Sequence, residues 1–222
     1  MDYDTLLPKE FGEELRRAPV AYLPWGALEW HGRHLPLGLD GLKAHALCRL
    51  TAERAGGVVL PPVWSGYETL ALNGFAYTLE FDQELVMALL RAYLEQLGRV
   101  GFRLVVVLTG HYGVKHVAAL AEAADAFVRS DGGRDTAVWV LPEYELARDL
   151  GYHGDHAAKW ETSILMHLRP ELVDLGRLDD QTASEGIFGE DPRTTATREL
   201  GESVVDRVVT NLAQRIEHFL GA

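Results

Sequence analysis

The chain has 222 residues, with 21 Lys plus Arg against 33 Asp plus Glu for a formal net charge of −12, and 47% hydrophobic and 24% charged residues. That composition is globular and excludes a disordered or fibrous chain, and the length suits one α/β domain. The acidic balance opposes phosphate backbones, and the single cysteine, Cys48, excludes an intramolecular disulfide framework and cysteine-rich zinc sites. No apolar run approaches the roughly 20 residues that cross a bilayer. The start, Met1-Asp2-Tyr3-Asp4, is acidic where a signal peptide would be basic. The expectation is a soluble, cytoplasmic domain spanning residues 1–222, with no nucleic-acid or membrane partner.

Along the chain, Pro19 to Pro24 is short and apolar and predicts a strand closed by proline. Leu42 to Arg54 carries apolar residues at helical spacing and is stopped by Gly56-Gly57. Val58 to Pro61 predicts a second strand. Asp82 then stands where an N-cap belongs, ahead of a helix with Leu85, Val86, Leu89, Leu90, Tyr93 and Leu97 on one face. Leu104 to Leu108 is apolar at every position, as a central parallel strand covered on both faces requires. An alanine-rich helix from about Val114 to Arg129 precedes a fourth strand, Thr136 to Leu141. Residues 176–199 are polar and predict a long loop before a last helix, Glu199 to Leu220. Alternating strands and helices predict a layered α/β fold with a mainly parallel central sheet flanked by helices.

Ligands of open α/β sheets collect at the carboxyl ends of the strands. Three polar clusters fall there: Trp25 to Asp40 after the first strand, Thr109 to Gly113 after the central one, and Tyr152 to Ser163 beyond the fourth. Five of the nine histidines lie in these clusters. Glu29 and His31 are two apart, so an extended backbone turns both to one side. Asp40 adds a carboxylate, and His111 sits where the buried strand opens. Such a set without thiolate suits Zn, Mn, Fe or a similar divalent ion. Each histidine taken alone is as well explained by a local hydrogen bond. Cys48 reads as core, as do Trp64 and Trp139, while His45, His116, His167 and His218 read as structural or solvated. Trp25, Trp30 and Trp160 lie inside the clusters and either wall a pocket for a small planar substrate or simply pack. No glycine-rich phosphate loop follows a strand, so a nucleotide cofactor has no support.

The segment Gly26-Ala-Leu-Glu29-Trp-His31-Gly-Arg-His34-Leu-Pro-Leu-Gly-Leu-Asp40 resembles the Gly-Ser-x-Glu-Gln-His-Gly-x-His-Leu-Pro-Leu-x-Thr-Asp stretch of the creatininase family. Thr109-Gly-His111-Tyr-Gly-Val114 is similar to that family's Asn-Gly-His-Gly-Gly-Asn. Asp155-His156-Ala-Ala-Lys-Trp-Glu161-Thr-Ser163 is similar to its Glu-His-Ala-Gly-x-x-Glu-Thr-Ser, and Gly186 to Pro192 echoes a late Gly-x-x-Gly-x-Pro. The resemblance implies a layered fold, two divalent ions per subunit (Zn, Mn or Fe), hydrolysis of a C–N bond in a small, non-peptide or cyclic amide, and a hexamer. It places Glu29, His31, Asp40 and His111 on metal-ligand positions, with Asp40 bridging, and Glu161 on a carboxylate position beside the metals. His156 falls on a proton-transfer position with Asp155 beside it as its orienting partner, and Tyr112 on a tyrosine near the substrate. Trp30 and Trp160 join Tyr112 as candidate substrate contacts. The departures are Trp30 for Gln, Leu39 for Thr, Thr109 for Asn, and Gly113 where creatininase itself has a ligand glutamate. Lys115 stands near the family's second Asn. A relative that trims a peptide precursor and a non-catalytic metal-binding module are the alternatives.

Overall fold

The computed structural model describes residues 1–181 and 185–221, and in it the four expected strands form and pair in parallel. They are β1 (Val20–Gly26), β2 (Val58–Val59), β4 (Leu104–Thr109) and β5 (Ala137–Pro142), joined by a two-residue strand β3 (Val63–Trp64) that the sequence did not signal. The sheet runs β2-β1-β4-β5, with β3 continuing beside β1 where β2 leaves it. Pro24 does not end β1, which runs on to Gly26. Tyr22 accepts from the Leu60 N–H and Gly26 from the Ser65 N–H, so Pro24 faces the break between β2 and β3. Its missing N–H therefore interrupts no ladder.

Among the described residues, seven α-helices surround the sheet: α1 (Pro8–Arg17), α2 (Leu39–Ala55), α3 (Gln83–Val100), α4 (Val114–Val128), α5 (Lys159–Leu168), α6 (Pro192–Thr195) and α7 (Arg198–Gly221). Alternation along the strands divides the core. Val20, Tyr22, Leu104, Val106 and Leu108 pack against α2, α5 and α7, whereas Ala21, Leu23, Trp25, Val105 and Val107 pack against α3 and α4. Each fully buried Val or Leu contributes on the order of 1.5–3 kcal/mol. Cys48 is core, as expected. Trp25 is core too, with its indole N–H on the Ser65 carbonyl at 2.8 Å, so it walls no pocket.

Four differences from the expected elements matter. Helix α1 was not expected. Asp82 precedes α3 in extended conformation, but its side chain caps nothing. Helix α2 begins at Leu39 rather than Leu42, which draws Asp40 into its first turn. The predicted loop 176–199 contains α6, where Asp191 accepts from the Arg193 N–H at 2.9 Å; its residues 182–184 lie outside the described residues. From β1 the chain crosses through α2 to one side of the sheet, and later through α3 to β4 on the other. The carboxyl ends of β1 and β4 therefore border a topological switch point, where a crevice forms.

Candidate metal centre

Backbone packing delivers the first turn of α2 into that crevice. A Cβ at Gly110 would come within 2.3 Å of the Asp40 carbonyl oxygen, and one at Gly26 within 2.2 Å of the Gly41 nitrogen. Glycine at the ends of β4 and β1 thus lets Asp40 sit between the segments carrying Glu29, His31 and His111. Helix α5 brings Glu161 from the far side in its own first turn, where a carboxylate also meets the helix dipole.

Asp40 spans the two histidines. Its Oδ1 lies 3.0 Å from His31 Nε2 and its Oδ2 lies 3.5 Å from His111 Nδ1. Glu29 Oε2 is 3.0 Å from His111 Nδ1, and Glu161 Oε2 is 3.8 Å from His31 Nε2. The far side of each ring is tied to the backbone: His31 Nδ1 to the Glu29 carbonyl at 3.0 Å, and His111 Nε2 to the Tyr67 carbonyl at 2.9 Å. A carbonyl only accepts, so in the neutral rings those nitrogens carry the protons and the inner nitrogens present lone pairs to carboxylates. Backbone N–H groups fix the carboxylates as well, from Leu70 to Glu29 Oε1 at 2.7 Å and from Ala157 to Glu161 Oε2 at 2.7 Å.

This arrangement fits a cation. Glu29 Oε2 and His31 Nε2 are buried without a hydrogen-bond partner. The donor atoms form two triads that share Asp40, namely Glu29 with Asp40 and His111, and His31 with Asp40 and Glu161; within each, the atoms lie within 4.8 Å of one another. Carboxylates and imidazoles tethered on their outer side by carbonyls are a common divalent-metal environment. Protons answer the same demand in the bare pocket. Burial opposes charge on His31, yet Asp40, then Glu161 and Glu29, lift it to about 9. His111 is raised well above its usual value against burial by Asp40 and Glu29, and Asp40, though buried, is held well below the usual carboxylate range by the two histidines.

His156 lies at the rim, its ring stacked on His31 at 4.2 Å. Burial and His31 depress its pKa. Its Nε2 is 2.8 Å from the Trp30 carbonyl, so in the neutral ring the proton sits on Nε2 and Nδ1 is the basic atom. Asp155 does not orient this ring, contrary to expectation. Its carboxylate instead accepts from the Trp160 N–H at 2.8 Å and the Glu161 N–H at 3.2 Å, because those amides open the first turn of α5. Burial and Glu161 lift Asp155 to about 7.

The candidate substrate contacts divide. Trp30 walls a surface cavity of about 550 Å³ together with Gly32, Arg33, Leu37, Tyr77 and Arg177. Trp160 stacks on buried Tyr152 at 5.2 Å within the core cluster. The Tyr112 hydroxyl lies in a buried set with Lys43, Glu143 and Tyr152. Sequence reasoning passed over Lys43 and Glu143. The available signals were a lysine one helical turn after Asp40 and a carboxylate just past the end of β5. Of the histidines set aside, His116 is buried beside His111 and accepts from the Tyr67 N–H at 3.3 Å, while His218 is exposed. Lys115 is 3.6 Å from Glu68 on the surface. A Cβ at Gly113 would stand 3.0 Å from His111 Nε2 and 3.1 Å from the Tyr67 carbonyl, pressing on the tether of that histidine.

A family model described as Creatininase, creatinine amidohydrolase, matches residues 5–216. The chain belongs to the creatininase family. It is 31% identical to the creatinine amidohydrolase of Pseudomonas putida, over 89% of this chain and 88% of that one. It is 32% identical to the mycofactocin precursor peptide peptidase of Mycolicibacterium smegmatis, over 90% of this chain and 85% of the peptidase. A crystal structure of creatinine amidohydrolase superposes with a TM-score of 0.87 at 28% identity, covering 98% of this chain and 96% of that one. Creatininase structures at the same identity include a manganese form and a Zn-Zn type. The creatinine amidohydrolases of this family hydrolyse C–N bonds other than peptide bonds. Among the described residues, no helix is long and apolar enough to cross a membrane.

Proposed function

We propose that the protein is a metal-dependent amidohydrolase cleaving a C–N bond of a small amide, with two divalent ions held by Glu29, Asp40 and His111 and by His31, Asp40 and Glu161. The observation that carries this reading is Asp40 between two histidines whose inner nitrogens face carboxylates, with Glu29 Oε2 and His31 Nε2 buried and without hydrogen-bond partners. A pair of divalent ions supplies electrophilic polarisation of the amide carbonyl and a water acidic enough to ionise near neutral pH. The chain's own residues do the rest. Tethers from the Glu29 and Tyr67 carbonyls hold both imidazoles in one tautomer, so no reorganisation is needed on binding. Burial of the crevice strengthens every charge interaction within it. His156, neutral at pH 7 and pinned through Nε2, takes a proton at Nδ1 and returns it to the departing nitrogen, which cannot leave as an anion. Trp30, whose carbonyl sets that ring, also walls the adjoining cavity and ties the substrate side to the proton-transfer side. The hexamer implied by the family resemblance is part of the proposal. Exposed Leu72, Tyr77, Leu79 and Phe188 are apolar surface available for such contacts.

The 32% identical peptidase supports a second reading, trimming of a peptide. Metal analysis of protein purified without chelator, with turnover of cyclic and linear amides beside short peptides, tests both. Two equivalents of metal and turnover of small amides are expected. Turnover of peptides alone replaces the first reading by the second, and protein that binds no divalent ion overturns both.

A further inference from the structure

Lys43 lies one helical turn beyond Asp40, on the same side of α2, and is fully buried. Its ammonium donates to Glu161 Oε1 and to the Tyr112 hydroxyl at 2.6 Å, and lies 3.0 Å from Glu143 Oε1. The Tyr112 hydroxyl donates to Glu143 and lies 2.6 Å from the Tyr152 hydroxyl. Glu161 is therefore shared between two demands. Oε1 is held by Lys43, and Oε2 faces His31 and the proposed metal position. A buried ion pair is more often matched or bettered by apolar packing of the same volume, so stability alone does not explain one placed here.

We infer that Lys43 is a positioning residue that, by holding one oxygen of Glu161, weakens the grip of His31, Asp40 and Glu161 on the second cation and so keeps that cation a stronger Lewis acid. The inference rests on the two-ion reading above. Three effects act in one direction. The ammonium draws electron density from the carboxylate, restricts it to single-oxygen coordination, and repels a divalent ion across a poorly screened interior. Glu143 moderates all three, because its carboxylate pulls the same ammonium the other way. Removing the charge of Lys43 and removing that of Glu143 must therefore have opposite consequences. A purely structural role for the pair predicts the same consequence for both.

The experiment titrates metal-free protein with Zn²⁺ by calorimetry against a competing chelator, and follows turnover against pH. Wild type is expected to show two binding events. In Lys43→Met the weaker event tightens by about tenfold or more, the range typical of residues behind metal ligands. In Glu143→Gln the weaker event loosens, while the tighter event moves much less in either variant. Lys43→Met is also expected to lower kcat and to shift the acid limb of its pH profile upward. A double variant, Lys43→Met with Glu143→Leu, removes both buried charges and guards against misfolding of the single one; it too must tighten the weaker event. Weakening in all variants, or no change in any, overturns the inference while leaving the two-ion centre intact. Wild type with fewer than two events overturns the two-ion reading and this inference together.

Discussion

Two buried ionic clusters meet at the first turns of α2, and they differ in where their positive charge comes from. Lys43, Glu143, Tyr112 and Tyr152 contain their own cation, which three neighbours contact directly. Glu29, Asp40, His31 and His111 contain carboxylates and imidazole lone pairs, and among the described residues no lysine or arginine is paired with them. Burying a carboxylate is costly unless a partner compensates it. The closed cluster compensates its charge internally through Lys43, although Glu143 Oε2 has no hydrogen bond. The open one leaves Glu29 Oε2 and His31 Nε2 without hydrogen bonds, which a metal ion would satisfy. The presence or absence of a built-in cation thus separates a ligand site from a structural ion pair more sharply than unpaired acceptors or residue types alone.

The most severe way to break this comparison is Asp40→Asn. Asparagine keeps the size and the contact with the Ala27 N–H at 3.3 Å, but it offers one neutral oxygen where two charged ones are shared. Both ions should be lost and hydrolysis should fall by more than about 100-fold, since disturbing a residue merely behind a ligand already costs 10–100-fold. Elemental analysis and circular dichroism check it. Full metal content in the variant removes Asp40 from the centre.

His156→Ala cuts between binding and chemistry. The ring stacks on His31 but lies outside both triads that share Asp40. Metal content should stay at the wild-type level while kcat falls by about 10²–10⁴-fold, the usual contribution of a proton-transfer group. Loss of metal in this variant would make the histidine a ligand instead, as its proximity to Glu29 and His31 allows.

The two clusters were unequally legible in the sequence. Glu29, His31, Asp40 and His111 follow strands whose apolar runs are unmistakable, so the switch-point rule locates them, and the family motif adds Glu161. Their mutual geometry was not legible. It depends on α2 starting at Leu39 and on glycines 26 and 110 admitting its backbone, which apolar periodicity does not encode. The closed cluster was missed because a lysine on a helix is ordinarily solvated. Asp155 was misassigned for a related reason. Adjacent residues suggest a pair, whereas the first turn of α5 competes for the carboxylate with two unsatisfied N–H groups.

His34 sharpens the contrast within a single motif. It stands three residues after His31 and is also buried, yet burial and the neighbouring His31 push it the opposite way, to about 4. Its Nε2 meets the Thr162 hydroxyl at 3.0 Å, and its Nδ1 has no partner. Among the described residues no carboxylate is paired with it as Asp40 is with His31, and the pull of Asp191 is the smallest of the influences on it. With the folded value below the ordinary 6.5, its contribution to stability is fully present above pH 6.5 and is lost as pH falls from there toward 4. The shift amounts to roughly 3 kcal/mol. Urea unfolding of metal-free protein at pH 7.5 and 4.5 should therefore show a smaller acid loss in His34→Gln than in wild type. Equal losses would mean that this imidazole charges freely in the folded state.

The smallest effect concerns the backbone that serves both clusters. Ala157 has φ of 53°, a left-handed conformation that costs a residue with a Cβ about 1–2 kcal/mol. Its N–H donates to Glu161 Oε2, the oxygen that faces His31, while Lys43 holds the other oxygen. The strained residue thus fixes one half of the carboxylate on which the open and closed clusters meet. Ala157→Gly relieves the strain but adds about 0.4–1 kcal/mol of unfolded-chain entropy, so the net change should be a gain of up to about 1 kcal/mol. The side chain is only a methyl, and glycine can adopt the same turn, so metal content should not change. Ala44→Gly, in the buried interior of α2, has no strain to relieve and should instead destabilise by roughly 1 kcal/mol or more. Denaturant midpoints for the two variants decide the matter. If Ala157→Gly destabilises as much as Ala44→Gly does, the left-handed turn stores no strain.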